Sequence, residues 1–370
     1  MADPAMETMV QEVCRLNPGV PEQEVREFLL AQLQGDFERE YPTSFRSRLD
    51  EGLPRDERPV YKRRRPSGEA VELQSRCHCG LCAFGVELVA GESMAIRCHC
   101  AACRRFHTSA YGAFVLVPDK GTEFWQCGGN ALLYRERCSA LGSVDRVMCQ
   151  RCFAKLATLP LEGEQRQAGR ALLALGAVTD SSVPPSLARR WQVDFQEFEV
   201  SSAALWWTAT PNGGDSNNNN NTGGDGEARR SHLCQGGCSC GGCRFEAALL
   251  PGEAQHCYCQ ICRQLSGSVA QTWVPASNES FRWTKQDSLR LVRTTSHGQR
   301  HICTRCGGVL TIVYDAQPDC TWPVVGALDD SSLPVDSDGM WYGVIHICCS
   351  MMQTWHRLPD DNLPRLKFAG

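Results

Sequence analysis

Apolar residues change their period along this chain. Over residues 1–57 they recur at three- and four-residue steps (Val10, Val13, Val25, Phe28, Leu29, Leu33), broken by Asn17-Pro18-Gly19, which predicts a small helical N-terminal extension. From about residue 70 the period shortens to two. Cys243, Phe245 and Ala247 alternate with Arg244 and Glu246, and 309–314 is a continuous apolar, β-branched run of the buried-strand kind. Further β-rich runs at 112–117, 269–274, 289–293 and 341–347 make the expected fold mainly β, with antiparallel strands.

Two stretches lack any such pattern. Residues 58–69 form a basic linker with Lys62-Arg63-Arg64-Arg65 between prolines, which reads as a solvated spacer or as a nuclear-localisation or polyanion patch. Residues 211–229 contain glycines and the asparagine run 217–221; a stretch so poor in apolar residues cannot offset the entropy of ordering its backbone, so it is expected to be a flexible linker. The linkers delimit 70–210 and 230–370, and laying one segment on the other reveals a duplication. Cys77-x-Cys79-Gly80-x-Cys82-x-Phe84 matches Cys238-x-Cys240-Gly241-x-Cys243-x-Phe245, and Cys98-x-Cys100-x-x-Cys103-Arg104 matches Cys257-x-Cys259-x-x-Cys262-Arg263. Cys149-x-x-Cys152 then matches Cys303-x-x-Cys306, and Gly-Ala-Val-Thr-Asp-Ser-Ser at 176–182 parallels Gly-Ala-Leu-Asp-Asp-Ser-Ser at 326–332.

Composition narrows the chemistry. The 370 residues, 42% apolar, suffice for two domains and a tail. Charge is balanced, 38 Lys and Arg against 42 Asp and Glu, so no domain-wide basic field is present to hold a nucleic acid. The first dozen residues carry acidic side chains and no apolar leader core, and no run approaches the roughly 20 apolar residues of a membrane span, so a cytoplasmic protein is expected, nuclear if the basic linker is read as an address. The 23 cysteines, an odd number, fit thiol chemistry in a reducing compartment better than a disulfide framework, and point to metal.

A Cys-x-Cys pair plus a distant Cys-x-x-Cys supplies four thiolates, the complement of a tetrahedral structural zinc. Cys77, Cys79, Cys149 and Cys152 are therefore assigned to one zinc, and Cys238, Cys240, Cys303 and Cys306 to its counterpart. The middle motifs, Cys98, Cys100 and Cys103, and Cys257, Cys259 and Cys262, offer three thiolates each. Three protein ligands and an open position are the arrangement of a reactive zinc, here suited to holding an exogenous small thiol. Up to two Zn²⁺ per repeat are expected. Arg104 and Arg263 are placed to offset the thiolate charge or to receive a substrate carboxylate, or else are surface arginines. Cys82 and Cys243 could close the middle sites, or be inert core cysteines beside Phe84 and Phe245. His99 and His107 could close the first, although the second repeat has Tyr258 and Ser266 there. Zinc deaminase chemistry is excluded by the lack of a glutamate beside the ligand motif. Cys14, Cys127, Cys138, Cys234, Cys320, Cys348 and Cys349 receive no role.

The ordered set Cys-x-Cys-Gly, Cys-x-Cys-x-x-Cys-Arg, Cys-x-x-Cys-Gly resembles the glutathione-dependent formaldehyde-activating (GFA)/centromere protein V family, over most of both repeats. The resemblance implies a tandem of zinc-stabilised β-tent-like domains, with structural zinc on the outer four cysteines and catalytic-type zinc on the middle three. It also implies a carbon–sulfur lyase or synthase joining glutathione to formaldehyde, with the middle cysteines and Arg104 or Arg263 as catalytic residues. The alternative it carries is a non-catalytic zinc scaffold, or a chromatin- or protein-interaction module of the centromere protein V type. The second repeat is closer to the pattern, with Gly307 after Cys306 where the first has Phe153, and is expected to carry the activity. Trp355 resembles the family's C-terminal aromatic, with Trp206 its counterpart. Residues 16–38, with Pro18, Val20 and Gly35-Asp36-Phe37-Glu38, distantly resemble ubiquitin-binding CUE/UBA modules, which would imply a ubiquitin-like partner.

Overall fold

The computed structural model describes residues 11, 22–23, 70–89, 93–198, 231–250, 254–332, 345–358 and 363–368. The helical extension at 1–57, bar three isolated positions, the linkers at 58–69 and 211–229, and Trp206 lie outside the described residues. In the first repeat β1 (Ala70–Arg76) and β2 (Ala83–Val89) form an antiparallel hairpin. They are followed by β3 (Ala95–Cys98), β4 (Gly112–Pro118), β5 (Ala131–Cys138), β6 (Gly142–Cys149), β7 (Lys155–Pro160), β8 (Arg170–Ala174) and β9 (Gln196–Phe198), a sheet in the order β5-β6-β7-β8-β4-β3-β9. Only the β3–β9 pairing in it is parallel.

The second repeat holds β10 (His232–Gly237), β11 (Cys243–Leu249), β12 (Gln255–Cys257), β13 (Gln271–Trp273), β14 (Ala276–Ser277), β15 (Arg282–Gln286), β16 (Leu289–Thr295), β17 (Gly298–Cys303), β18 (Val309–Tyr314), β19 (Cys320–Pro323) and β20 (Ile345–Ile347). One sheet runs β10-β11-β14-β19-β18-β17-β16 with β15 on β11, and β13-β12-β20 stand apart. The mainly β expectation is met, and β11 buries alternate residues as the sequence pattern requires. The two repeats divide their strands differently, and one difference falls at a proline. β4 pairs with both β3 and β8, and Leu116 within it donates its N–H to the Met94 carbonyl at 3.0 Å. At the equivalent position the second repeat has Pro275, which has no N–H to give, and the strand is split into β13 and β14.

Among the described residues the helices of seven or more residues are α1 (Ala101–His107), α2 (Pro185–Val193) and α3 (Gln260–Ser266). α1 and α3 start on the middle cysteine of each triplet, Cys100 and Cys259, whose sulfurs accept the N–H of Cys103 and Cys262 at 3.4 Å each. Each ends on a left-handed residue, Thr108 (φ 48°) and Gly267 (φ 68°).

The repeats are docked face to face through these helices, by contacts that occur in reciprocal pairs. Ser109 Oγ donates to the Ala270 carbonyl and Ser268 Oγ to the Tyr111 carbonyl, each at 2.8 Å. Arg104 forms a two-pronged ion pair with Asp330 at 2.7 and 2.6 Å, while Arg263 reaches Asp180 at 3.5 Å. Such mutual exchange is the signature of a two-fold interface, here made within one chain. The glycine of each Gly-Ala-x-x-Asp-Ser-Ser motif permits the approach: a Cβ on Gly176 would collide with the Arg263 carbonyl, and one on Gly326 with the backbone of Thr108 and Ser109. The repeated motif is thus the clasp between repeats. The larger apolar core, from Val71 through Phe106 and Leu173 to Phe245 and Trp355, runs through both halves, and a smaller one around Ile96, Phe114 and Leu172 encloses the middle cysteines of the first repeat.

His107 lies wholly buried in this interface, its Nδ1–H donating to the Ser266 carbonyl at 2.6 Å and its Nε2 without a polar partner. Burial, with the Arg146 charge next, holds its pKa well below the ordinary histidine value. An unfolded chain protonates at about pH 6.5 and the folded one does not, so this group's contribution is present above that pH and is lost as pH falls below it. We expect the urea midpoint to fall between pH 7 and pH 5, and to fall less in His107→Phe. An equal fall in both proteins would refute the assignment.

Candidate metal centres

The first turn of each repeat is shaped by its glycine. Gly80 and Gly241 take φ of 75° and 69° and donate their N–H groups to the Cys77 and Cys238 carbonyls at 3.1 Å each, folding Cys-x-Cys back on itself. The β6–β7 and β17–β18 turns do the same for Cys149–Cys152 and Cys303–Cys306. Phe153 adopts φ 60° where Gly307 adopts 71°, so the phenylalanine reproduces the glycine's geometry, at an expected cost of about 1–2 kcal/mol. The buried Lys155 donates to the Phe153 carbonyl at 3.2 Å and to that of Gly307, joining the two turns across the interface.

Four sulfur clusters result: Cys77, Cys79, Cys149 and Cys152; Cys238, Cys240, Cys303 and Cys306; Cys98, Cys100, Cys103 and Cys138; and Cys257, Cys259 and Cys262, the sulfurs of each lying within 4.8 Å of one another. All described cysteines are free thiols. Neighbouring sulfurs stand 3.6 and 3.7 Å apart along Cys77–Cys79–Cys149, 3.5 and 3.6 Å along Cys238–Cys240–Cys303, and 3.5 and 3.4 Å along Cys98–Cys100–Cys138. A tetrahedron with metal–sulfur bonds of about 2.3 Å has edges of about 3.8 Å, so the clusters fit zinc and could hold a metal ion. Within each cluster at least one thiol is held well below the ordinary thiol pKa by its neighbours: Cys77 chiefly by Cys149, Cys303 by Cys238, Cys100 by Cys103 and Cys259 by Cys257. Several thiolates at this spacing repel one another unless a cation lies among them.

The structure brings together the cysteines that the spacing grouped, and it adds residues that spacing does not single out. Cys138, at the end of the β5–β6 hairpin, completes the first middle cluster, its sulfur 3.4 Å from Cys100 and 4.0 Å from Cys103. The corresponding hairpin of the second repeat ends in Thr294-Thr295, and the cluster there has three members. Cys82 and Cys243 stand with the outer clusters, where their N–H groups donate to Cys77 and Cys238 at 3.2 Å each, so neither closes a middle site. His99 is turned to Glu197, Nε2 to Oε2 2.7 Å, and His107 to Ser266.

Arg104 and Arg263, the arginines expected to offset thiolate charge, are placed on Asp330 and Asp180 of the opposite repeat. The guanidinium groups on the sulfurs belong to Arg146 and Arg300, three residues before each Cys-x-x-Cys. Arg146 Nη2 donates to Cys103 at 3.3 Å and Arg300 Nη2 to Cys262 at 3.5 Å. Both are fully buried; desolvation opposes their charge, but the adjacent sulfurs of Cys103 and Cys262 raise both pKa values further. Their recurrence at one position in both repeats was the available signal. Among the described residues no helix is long and apolar enough to cross a membrane.

The family model for glutathione-dependent formaldehyde-activating enzyme matches residues 72–194 and again 233–343. A Halomonas elongata protein described as "putative glutathione-dependent formaldehyde-activating enzyme" is 33% identical over 150 residues, covering 37% of this chain and 88% of that protein. A crystal structure of a Rhodobacter sphaeroides protein aligns at 23% identity over 26% of this chain and 87% of its own, with a TM-score of 0.23. With the family pattern met once in each half, the chain belongs to the glutathione-dependent formaldehyde-activating enzyme family.

Proposed function

We propose that the chain joins glutathione to formaldehyde or a related small aldehyde at the Cys257, Cys259, Cys262 centre of the second repeat, and that its other three clusters are structural zinc sites. The observation that carries this reading is the difference between the middle centres: four thiols in the first repeat, three in the second. Zinc held by three thiolates would supply an anchoring position for an exogenous thiol in its thiolate form.

The chain's own residues supply the rest. The Arg300 guanidinium, fixed by Thr294 Oγ1 and lying over the Trp273 ring at 5.5 Å, offsets the Cys262 thiolate and so favours the approach of one more anion. The Cys259 sulfur, beside Cys257 and accepting the Cys262 N–H at the start of α3, is held in surroundings that favour its ionised form. Tyr258 between two of the cysteines is held by His346 Nδ1 at 3.0 Å and stacked on His356, which fixes the strand that carries them. The Halomonas relative's description supports the choice of glutathione and formaldehyde.

The test is the initial rate of S-(hydroxymethyl)glutathione formation by zinc-loaded full-length protein. Cys259→Ser is expected to lower the catalysed rate at least about 100-fold; Cys100→Ser is expected to lower stability while leaving the rate per folded molecule within about threefold. A protein whose rate depends on Cys100 and not on Cys259 would reverse the assignment of roles.

A further inference from the structure

The second repeat lacks a counterpart to Cys138, but another cysteine lies beside its three-thiol centre. β20 pairs with β12 in parallel, His256 with His346 and Cys257 with Ile347, so the residue after Ile347 is delivered to the level of the cluster. That residue is Cys348. It is buried, its sulfur is 4.0 Å from that of Cys257, and it stands outside the set whose sulfurs all lie within 4.8 Å of one another. Its backbone is left-handed, φ 58° and ψ 35°, a conformation that a non-glycine residue holds only when its surroundings demand it. The Cys349 N–H bonded to the Leu366 carbonyl at 3.0 Å and Met351 N–H bonded to the Cys348 carbonyl at 3.0 Å fix the turn. In the first repeat the residue that follows β9 in sequence is Glu199, which has no sulfur to offer.

We infer that Cys348 is a displaceable fourth ligand of the Cys257, Cys259, Cys262 centre, which closes that centre at rest and yields its place to an incoming small thiol. This rests on reading the triplet as a zinc site. Cys138 and Cys348 then differ in kind. Cys138 sits inside its cluster on the rigid end of a hairpin whose strands pair along their full length. Cys348 sits at the rim of its own, on a three-residue strand and a 3₁₀ turn, where a small backbone movement separates it from the other three. With a metal held by Cys257, Cys259 and Cys262, the exchange would balance: Cys348 would leave as the entering thiol takes its place, and the proton of the entering thiol would pass to Cys348. Thiol binding to the resting protein is therefore proton-neutral. Binding to a chain that lacks Cys348 releases a proton, because the entering thiol must ionise without a thiolate to receive it.

The experiment uses full-length protein loaded with ¹¹³Cd, whose resonance position reports the sulfur count at each centre separately. The four clusters are expected to give four-sulfur resonances in the wild type. In Cys348→Ser one resonance should move to the three-sulfur range and return when glutathione is added. Calorimetry in two buffers of different ionisation enthalpy should find no proton released as wild type binds glutathione, and about one released by Cys348→Ser. The variant should bind roughly tenfold more tightly, since no internal ligand competes. A wild type that already shows one three-sulfur resonance, unmoved by Cys348→Ser, overturns the proposal and leaves the open centre standing. Four-sulfur wild type and a three-sulfur variant that both ignore glutathione uphold Cys348 as ligand and remove the proposed thiol substrate. A protein with only three cadmium ions overturns the proposal together with the zinc reading of the triplet.

Discussion

If the outer clusters hold zinc as proposed, Cys303→Ser is expected to lose one metal ion and, with it, the cooperative fold of the second repeat. Cys303 accepts its share of the cluster from β17, while Cys238 and Cys240 come from the turn after β10 and Cys306 from the turn before β18. A metal there would fasten the first hairpin of the repeat to its later strands. Structural zinc sites contribute about 10–16 kcal/mol of apparent binding energy, more than the usual net stability of about 5–15 kcal/mol. Losing one thiolate of four removes enough of it to unfold the half that depends on it. The control is Cys234→Ser, a buried thiol on β10 outside every cluster, whose pKa burial alone pushes up to about 12. It is expected to cost about 1–2 kcal/mol and no metal. Zinc content by plasma mass spectrometry and thermal melting by circular dichroism read both. A Cys303→Ser protein with full zinc content and an unchanged melt would end the assignment of that cluster.

The second large effect is expected at the clasp. Arg263 and Asp180 face each other with side-chain exposures of 3% and 2%, whereas in the partner pair Arg104 is 7% and Asp330 43% exposed. Water can replace a lost partner in the second case and hardly in the first. Asp180→Ala is therefore expected to cost about 3–5 kcal/mol, because a buried cation is left poorly compensated, and Asp330→Ala only about 1 kcal/mol, although its ion pair is the shorter. Urea denaturation of the two variants gives the comparison. A larger loss for Asp330→Ala than for Asp180→Ala would mean that distance, rather than burial, sets the worth of these pairs.

Much of the fold and of the metal centres is legible in the order of residues along the chain. Alternation in the stretch from Cys243 to Ala247 and the β-branched run at 309–314 specify strand type and inward face, since a strand half in water must alternate and a covered one need not. The sulfur groupings follow from spacing and repetition: two cysteines one or two residues apart cluster locally, and the same pair of motifs recurring in each repeat points to the joining of Cys77 and Cys79 with Cys149 and Cys152, and of Cys238 and Cys240 with Cys303 and Cys306. What long-range folding supplies is invisible at that level. Cys138 and Cys348 are single cysteines at the end of a hairpin and after a short parallel strand, and nothing local to either distinguishes it from an inert thiol. Adjacency misdirects the assignment of Arg104 and Arg263: a residue next to a ligand on a helix points a quarter-turn or more away from it, here toward the other repeat. Arg146 and Arg300, farther off in sequence, are the ones that arrive. The Gly-Ala-x-x-Asp-Ser-Ser repeat can be seen but not interpreted, because its partner lies across an interface that neither half contains alone.

The self-complementary face has a further consequence. In an assembly of two identical chains each substitution is made twice, so any change that helps one centre is imposed on the other, and the association weakens on dilution. With both faces on one polypeptide, docking is a folding event independent of protein concentration, and every substitution enters once. The two halves are free to diverge: one has a middle cluster of four cysteines and a phenylalanine in a glycine's conformation, while the other has a middle cluster of three and a glycine at that turn.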